Sequence, residues 1–454
     1  MDAKPRLNYG QIFTLGFGFL STSILWSVYN TYVPVIMQSR FSLGAAAIGF
    51  LMTLDNMAAL FIQPMIGVVS DRTRTRIGRR MPYLLIGAPI AAVAFAFIPN
   101  ARTFSAFIAA IAVMLLFAAL YRTPVIALMP DLVPSPLRSQ ANGIINLMGG
   151  VGGVLAYIGG GLLYDVNPGL PFWLGAALTV IAILIVIFAI REPREPMATA
   201  ADSQELADML PSVTLLVVSL LMWGLGNWWL EGIRGELVKG LGYLVMAAGF
   251  ILFLVTRLRR LPQGNRGSLL RLLLAIFCWF VGFNAIETFF SLYGVNVLHI
   301  KPSLAGILMG VANLTFIIFA LPSGFIAARV GRRRTILWGL AIFSVLLLIA
   351  FFIPVMAVIA VALGLGGMAW ALVNVNSLPM VLDSAQQDQA GTSTGLYYLF
   401  STVAAIAGPI ANGQVIERTG NNYNLIFLIA PFFFVIAFLL MLGVRHGEAL
   451  PSTP

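Results

Sequence analysis

Apolar runs of 18 or more residues recur from one end of this 454-residue sequence to the other. Each is long enough to cross about 30 Å of hydrocarbon at 1.5 Å per residue. Inside a bilayer every backbone polar group must be satisfied internally, which leaves only helices and closed barrels. The runs show no period-two alternation, so the sequence predicts an all-α polytopic membrane protein. Hydrophobic residues make up 59% of the chain, well above a soluble domain, and the excess is expected to face the lipid bilayer. Helices are predicted at 11–37, 45–70, 83–100, 104–128, 140–164, 171–190, 213–230, 240–256, 269–294, 303–328, 335–353, 356–382, 392–416 and 424–444.

A net charge of +10 is compatible with nucleic-acid binding, but the location of the cations argues against it. Twenty of the 27 lysines and arginines fall in alternate loops on one side, six on the other, and Arg122 lies inside a helix. The positive-inside rule makes the first side cytoplasmic, with both termini there. The expected setting is a bacterial plasma (inner) membrane. The first apolar run begins near Gln11 and is too long for a signal-peptide core, so it reads as a retained helix. The single cysteine, Cys278, excludes a disulfide framework.

Three short echoes suggest duplication. "GFLSTSILWSVY" (18–29) matches "GFNAIETFFSLY" (282–293) at an offset of 264. "GVVSDRTRTRIGRR" (67–80) is echoed more weakly by "GFIAARVGRRR" (324–334) at 257, and "PDLVPSPLRSQANG" (130–143) by "LDSAQQDQAGTSTG" (382–395) at 252. Two six-helix bundles, 1–190 and 269–454, are therefore expected. The stretch 191–268 between them reads as a polar cytoplasmic linker followed by an inserted hairpin, 213–256. Two full crossings there give fourteen spans; interfacial or re-entrant helices are the alternative.

The segment "FIQPMIGVVSDRTRTRIGRRMPYLLIG" (61–87) resembles the corresponding region of the sucrose/proton symporters of plants and their animal relatives. "YRTPVIALMPDLVPSPLRSQANG" (121–143) resembles the same family further on. That family belongs to the glycoside–pentoside–hexuronide cation symporter group of the major facilitator superfamily. The resemblance implies two parallel six-helix halves, substrate held between them at the midplane, and cation-coupled sugar uptake. It carries over no acidic coupling residue, because the matching position falls near Leu115. It also implies a cytoplasmic gate made by Gly67, Asp71, Arg72, Gly78, Arg79 and Arg80. Asp71 is expected to face the free amides of a helix starting near Gly391–Thr394. The bland reading of the same cluster is a basic loop that fixes topology. The second half has Ala328 where the aspartate falls in the first.

Asp55, Arg122 and Glu287 lie deep in predicted helices. Each charge costs at least about 2.5 kcal/mol there unless paired or hydrated, so each should face a cavity or a partner. By helical rise, Asp55 and Glu287 sit roughly 15 and 10 Å from the outer ends of their helices, and Arg122 roughly 9 Å from an inner end. Asp55 is the expected partner of Arg122, and Asp55 and Glu287 are the candidates for the coupling proton, with Arg122 as partner or substrate ligand and Glu287 also expected to bind substrate. A static ion pair is the structural alternative. Around them stand Tyr29, Asn30, Asn56, Tyr121, Asn284, Asn374, Asn376 and Tyr398, offering amides and flat rings suited to a sugar. Interhelical hydrogen bonding would serve the asparagines equally well. Seven glycines in "NLMGGVGGVLAYIGGGLL" (146–163) predict close helix packing, by family analogy against the eighth helix of the twelve-helix core.

Enzyme chemistry is not expected. The two histidines, His299 and His446, fall outside the core on opposite sides, and no metal cluster, nucleophile motif or phosphate loop is present. No cofactor or metal is expected, and the protein should work as a monomer. The function that follows is proton-coupled sugar uptake; sodium coupling, or export of amphipathic drug-like compounds, are the alternatives.

Overall fold

A computed structural model describes residues 8–133, 137–192, 232–258, 266–384 and 390–445, with residue 447 and scattered positions between 211 and 226. The described chain is helical: α1 (Tyr9–Phe41), α2 (Ala45–Leu51), α3 (Leu54–Arg72), α4 (Met81–Phe97), α5 (Phe104–Leu132), α6 (Arg138–Val154), α7 (Gly160–Tyr164), α8 (Leu170–Ala189), α9 (Gly232–Leu258), α10 (Arg266–Asn296), α11 (Pro302–Val330), α12 (Arg332–Phe352), α13 (Met356–Asp383), α14 (Ala390–Arg418) and α15 (Ile426–Leu442). Eleven helical stretches among the described residues are long and apolar enough to cross a membrane.

Local chemistry sets many of the ends. The Asn8 side chain accepts the Gln11 amide, and Thr103 accepts that of Ala106, satisfying donors that a helix start leaves free. Prolines stand in the first turns of α4, α8 and α11, where no intrahelical donor is lost. Gly331 turns the chain between α11 and α12 at φ +99°, a conformation that disfavours any side chain.

Two predicted helices are interrupted. The one expected over 45–70 breaks at Met52–Thr53, where the Thr53 hydroxyl turns back onto the Phe50 carbonyl at 2.7 Å. Asp55 consequently lies in the first turn of α3 rather than inside a continuous helix. The one expected over 140–164 contains a π turn, Leu155–Gly159, between α6 and α7. A third difference concerns 232–239, predicted as a loop. It is helical, and α9 reaches 27 residues. The other predicted arm of the hairpin, 213–230, lies largely outside the described residues, as does most of the linker 191–212.

Residues 200–266 form one compact unit, and 1–199 with 267–454 form another. The two predicted bundles thus make a single body. In its first half α1 packs on α6 and α8, and α4 on α5. In the second, α13 packs on α11 and α12, and α12 on α15. Tyr29, Tyr121, Trp279 and Tyr293 are fully buried, whereas Phe188 and Val93 lie on the outside as lipid-facing side chains would.

The halves meet closely toward one end. A Cβ at Gly49 would stand 2.3 Å from the Pro409 carbonyl oxygen, and one at Gly413 2.5 Å from that of Ala45, so glycine alone fits at these crossings of α2 and α14. At the same end Asn296 donates to Gln38 at 2.8 Å, Gln38 to the Tyr423 hydroxyl at 2.9 Å, and the Ala46 amide to Glu417 at 2.8 Å. Toward the end that carries Arg79 and Arg80, a Cβ at Gly67, Gly324 or Gly395 would meet nothing from the opposite half within 4 Å.

Candidate functional site

The three ionisable residues of the spans converge. α1 supplies Trp26, Tyr29 and Asn30, α3 supplies Asp55 and Asn56, α5 supplies Tyr121 and Arg122, and α10 supplies Glu287. The Asn30 amide donates to Glu287 Oε1 at 3.2 Å, joining the two halves by one hydrogen bond. The break before α3 leaves free backbone amides beside Asp55. Its carboxylate accepts from the Asn56 side chain at 3.0 Å. This is the favourable end of a helix for an anion.

Asp55 interacts electrostatically with Arg122, Glu287 and Tyr29. Among the described residues no direct ion pair joins Asp55 to Arg122, so the expected partnership acts across a gap. The Arg122 guanidinium instead lies 5.8 Å from the centroid of the Trp26 ring, a cation–π arrangement. It also senses Tyr121 and Tyr398. Tyr398 is 56% exposed and presents its ring openly.

The remaining predicted amides are partly committed elsewhere. Asn284 donates to the Phe280 carbonyl at 2.7 Å and Asn376 to that of Leu372 at 3.0 Å, each one turn back on its own helix. At Asn374 only the backbone carbonyl is engaged, by the Ser377 hydroxyl, which also meets Tyr397 at 3.1 Å. Asn284 therefore offers a carbonyl and one remaining N–H beside Glu287, not a free amide.

Tyr157 was not among the expected residues. It sits in the π turn and interacts electrostatically with Glu287. An extra residue in a helical turn leaves no mark on composition, so only the surrounding glycines hint at it. These glycines pack on α11: Gly161 abuts the Ser303 carbonyl and Gly310 abuts Ile158.

A second cluster lies at the basic end of the first half. Arg79 pairs with Asp131 at 2.7 Å, with Glu192 at 3.2 Å and with Asp71 at 3.7 Å. Arg80 pairs with Asp71, with Asp131 at 3.2 Å and with the Ser70 hydroxyl. The backbone amides of Arg79 and Arg80 both reach Glu192 at 2.9 Å. Gly78 makes this possible: its φ is +119°, and a Cβ there would stand 2.3 Å from Glu192 Oε2. Arg72, Arg74 and Arg76 are exposed. Asp71 thus has partners from its own half in this structure, rather than the start of α14. Asp131 and Glu192 are further members that sequence reasoning missed. The second half repeats one contact: Arg332 pairs with Asp383, and both lie 252 positions after Arg80 and Asp131.

Comparisons with known proteins agree with this architecture. The MFS-type transporter ppzB of Metarhizium majus is 32% identical over 104 residues, 23% of this chain and 23% of that protein. The isoprimeverose transporter of Lactiplantibacillus pentosus is 26% identical over 204 residues, 41% of this chain and 42% of that one. The chain thus matches less than half the length of these curated relatives. Among solved structures, a POT peptide transporter in complex with sulfate superposes with a TM-score of 0.70 at 16% identity, covering 96% of this chain and 95% of that one. A bacterial homologue of the human lysosomal transporter Spinster, inward-facing and occupied, gives 0.63 at 17% identity over 99% and 100%. Both show the shared fold. The sequence profile of the Major Facilitator Superfamily matches residues 15–316 and 272–454, nearly the whole chain. With two six-helix halves around a polar centre, the protein belongs to the Major Facilitator Superfamily.

Proposed function

We propose that the chain is a proton-coupled symporter that takes up a sugar by alternating access, the sugar being a di- or oligosaccharide or a glycoside. The hydrogen bond from Asn30 to Glu287 carries this reading. It places a carboxylate of one half against an amide of the other, within the field of Asp55 and Arg122. A substrate that takes over either partner changes both the contact between halves and the charge balance, which is what coupling requires. The similarity to an isoprimeverose transporter supports a sugar.

In this reading the basic end is cytoplasmic, and both termini lie there. The conformer is closed outward and parted inward. The Asp71 contact with the start of α14 belongs to the opposite conformer. The carrier works as a monomer in a bacterial plasma membrane.

The test is uptake into proteoliposomes under an imposed pH gradient, screened over sugars, glycosides and dyes. At least one sugar or glycoside should accumulate and be lost on adding a protonophore. Accumulation driven only by sodium would replace the proton, and dye extrusion without a sugar signal would replace symport by export.

A further inference from the structure

Asn313 lies inside α11, one of the helices long and apolar enough to cross a membrane, yet among the described residues its side chain takes part in no hydrogen bond. Asn284, Asn376 and Asn412 lie in such helices too, and each donates to a carbonyl one turn back on its own helix. A polar group left unanswered in a span is unfavourable, and a neighbouring helix usually answers it. Asn313 is half-buried, so its donors and its acceptor stay within reach of a partner that comes and goes.

The packing of α11 fixes where that partner would sit. α11 runs along α6 and α7 on small residues. A Cβ at Gly161 would stand 2.7 Å from the Ser303 carbonyl, one at Gly310 2.7 Å from Ile158, and one at Gly150 would run into Ile317. Asn313 belongs to this stripe and faces Gly153, where a Cβ would collide with its Nδ2 and lie 3.5 Å from Ser27 Oγ. The missing side chain at Gly153 thus opens a notch in which an amide of the second half and a hydroxyl of the first converge. Ser27 precedes Asn30 by about one turn of α1, roughly 4.5 Å nearer the basic end. Tyr157, one turn beyond Gly153, interacts electrostatically with Glu287.

The notch therefore adjoins the bond from Asn30 to Glu287. An amide and two hydroxyls both give and accept hydrogen bonds, as the hydroxyls of a neutral sugar do, and none of the three carries a charge. We infer that Asn313 and Ser27, with Tyr157 beside them, form a second substrate subsite that takes a neutral, hydroxyl-bearing unit next to the unit held at Asn30 and Glu287. The inference rests on the sugar-transport reading and deepens it: two linked units are read about one turn apart, and α11 supplies the residue that tells them from a single unit.

Calorimetry on the purified full-length protein tests it. The probes are maltose, cellobiose, lactose and sucrose against methyl glucoside, methyl galactoside and methyl fructoside. At least one disaccharide should bind about tenfold tighter than the methyl glycoside of either of its units, the worth of one or two neutral hydrogen bonds. Asn313→Ala should remove most of that advantage by weakening the disaccharide far more than the methyl glycoside. Gly153→Ala, which pushes Asn313 aside without removing it, should produce the same selective loss, and Asn313→Ser, which keeps a hydroxyl, should recover part of it. Sugars that bind with no advantage for any disaccharide overturn the inference and leave the sugar reading standing. Equal weakening of both classes of probe in the Asn313 and Gly153 variants, with a lower melting temperature, makes Asn313 a packing residue and also overturns it. Binding of none of the sugars overturns the sugar reading, and the subsite falls with it.

Discussion

Asp55 and Glu287 differ in what their loss should do. Asp55 sits in the first turn of a helix and accepts from the Asn56 side chain, so an asparagine there keeps an acceptor for that bond and loses only the titratable site. Asp55→Asn should abolish uphill uptake yet spare exchange of labelled for unlabelled substrate, because exchange never requires the empty carrier to return deprotonated. Equal loss of both activities, together with a lower melting temperature, would mark Asp55 as structural. Glu287→Gln keeps the bond from Asn30 within reach and should mainly raise the substrate KM. At the basic end, two arginines share three carboxylates. Removing the fully buried Asp131 leaves Arg79 and Arg80 short of an anion and should cost about 3–5 kcal/mol, seen as a clear drop in thermal stability. Asp71 is more exposed, and Asp131 and Glu192 remain when it is replaced. Asp71→Asn should slow turnover with a much smaller loss of stability. Normal turnover would reduce the arginine cluster to a topology signal.

Among the elements, the spans were legible because hydropathy over twenty residues averages out local irregularity. The interruptions were not. "LMTLD" contains neither proline nor glycine, so nothing in it announces a break at Met52–Thr53. Yet that break gives Asp55 its surroundings. Asp131 and Glu192 were passed over because charges at helix ends read as topology, and only the fold brings them onto Arg79 and Arg80. The repeat at 252 was visible as a faint echo and gains substance from the paired contacts Arg80–Asp131 and Arg332–Asp383. The glycine crossings invite a direct test. A valine at Gly413 must displace the Ala45 backbone and should hold the Gln38 end apart. A thiol at Asn30, in a Cys278→Ser background, should then react faster with an impermeant reagent added outside. An unchanged rate would show that this crossing does not close the carrier. The α9 unit has its own test. A thiol at Gly232 in the same background should be labelled from outside only; labelling from the cytoplasmic face would reject two full crossings.

At the scale of the whole molecule, closure at one end rests on small groups and closure at the other would rest on charges. The Gln38 end is held by Asn296, Gln38, Tyr423 and one carboxylate, Glu417, on a backbone amide. A thiol crosslinker joining Gln38→Cys to Tyr423→Cys should stop transport, and a cleavable one should restore it on reduction. Transport that persists with the link in place would mean that this end need not open. The make-up of this latch has a kinetic consequence. Each of its neutral bonds is exchanged for a bond to water when the halves part, so each contributes only about 0.5–1.5 kcal/mol net. A seam of that kind is weakly biased and quick to release, unlike one that must strip charges of water each time it shuts. The slow stroke of the cycle should therefore be the one that seals the arginine-rich end, and salt should alter its rate while leaving the opening of the Gln38 seam almost untouched.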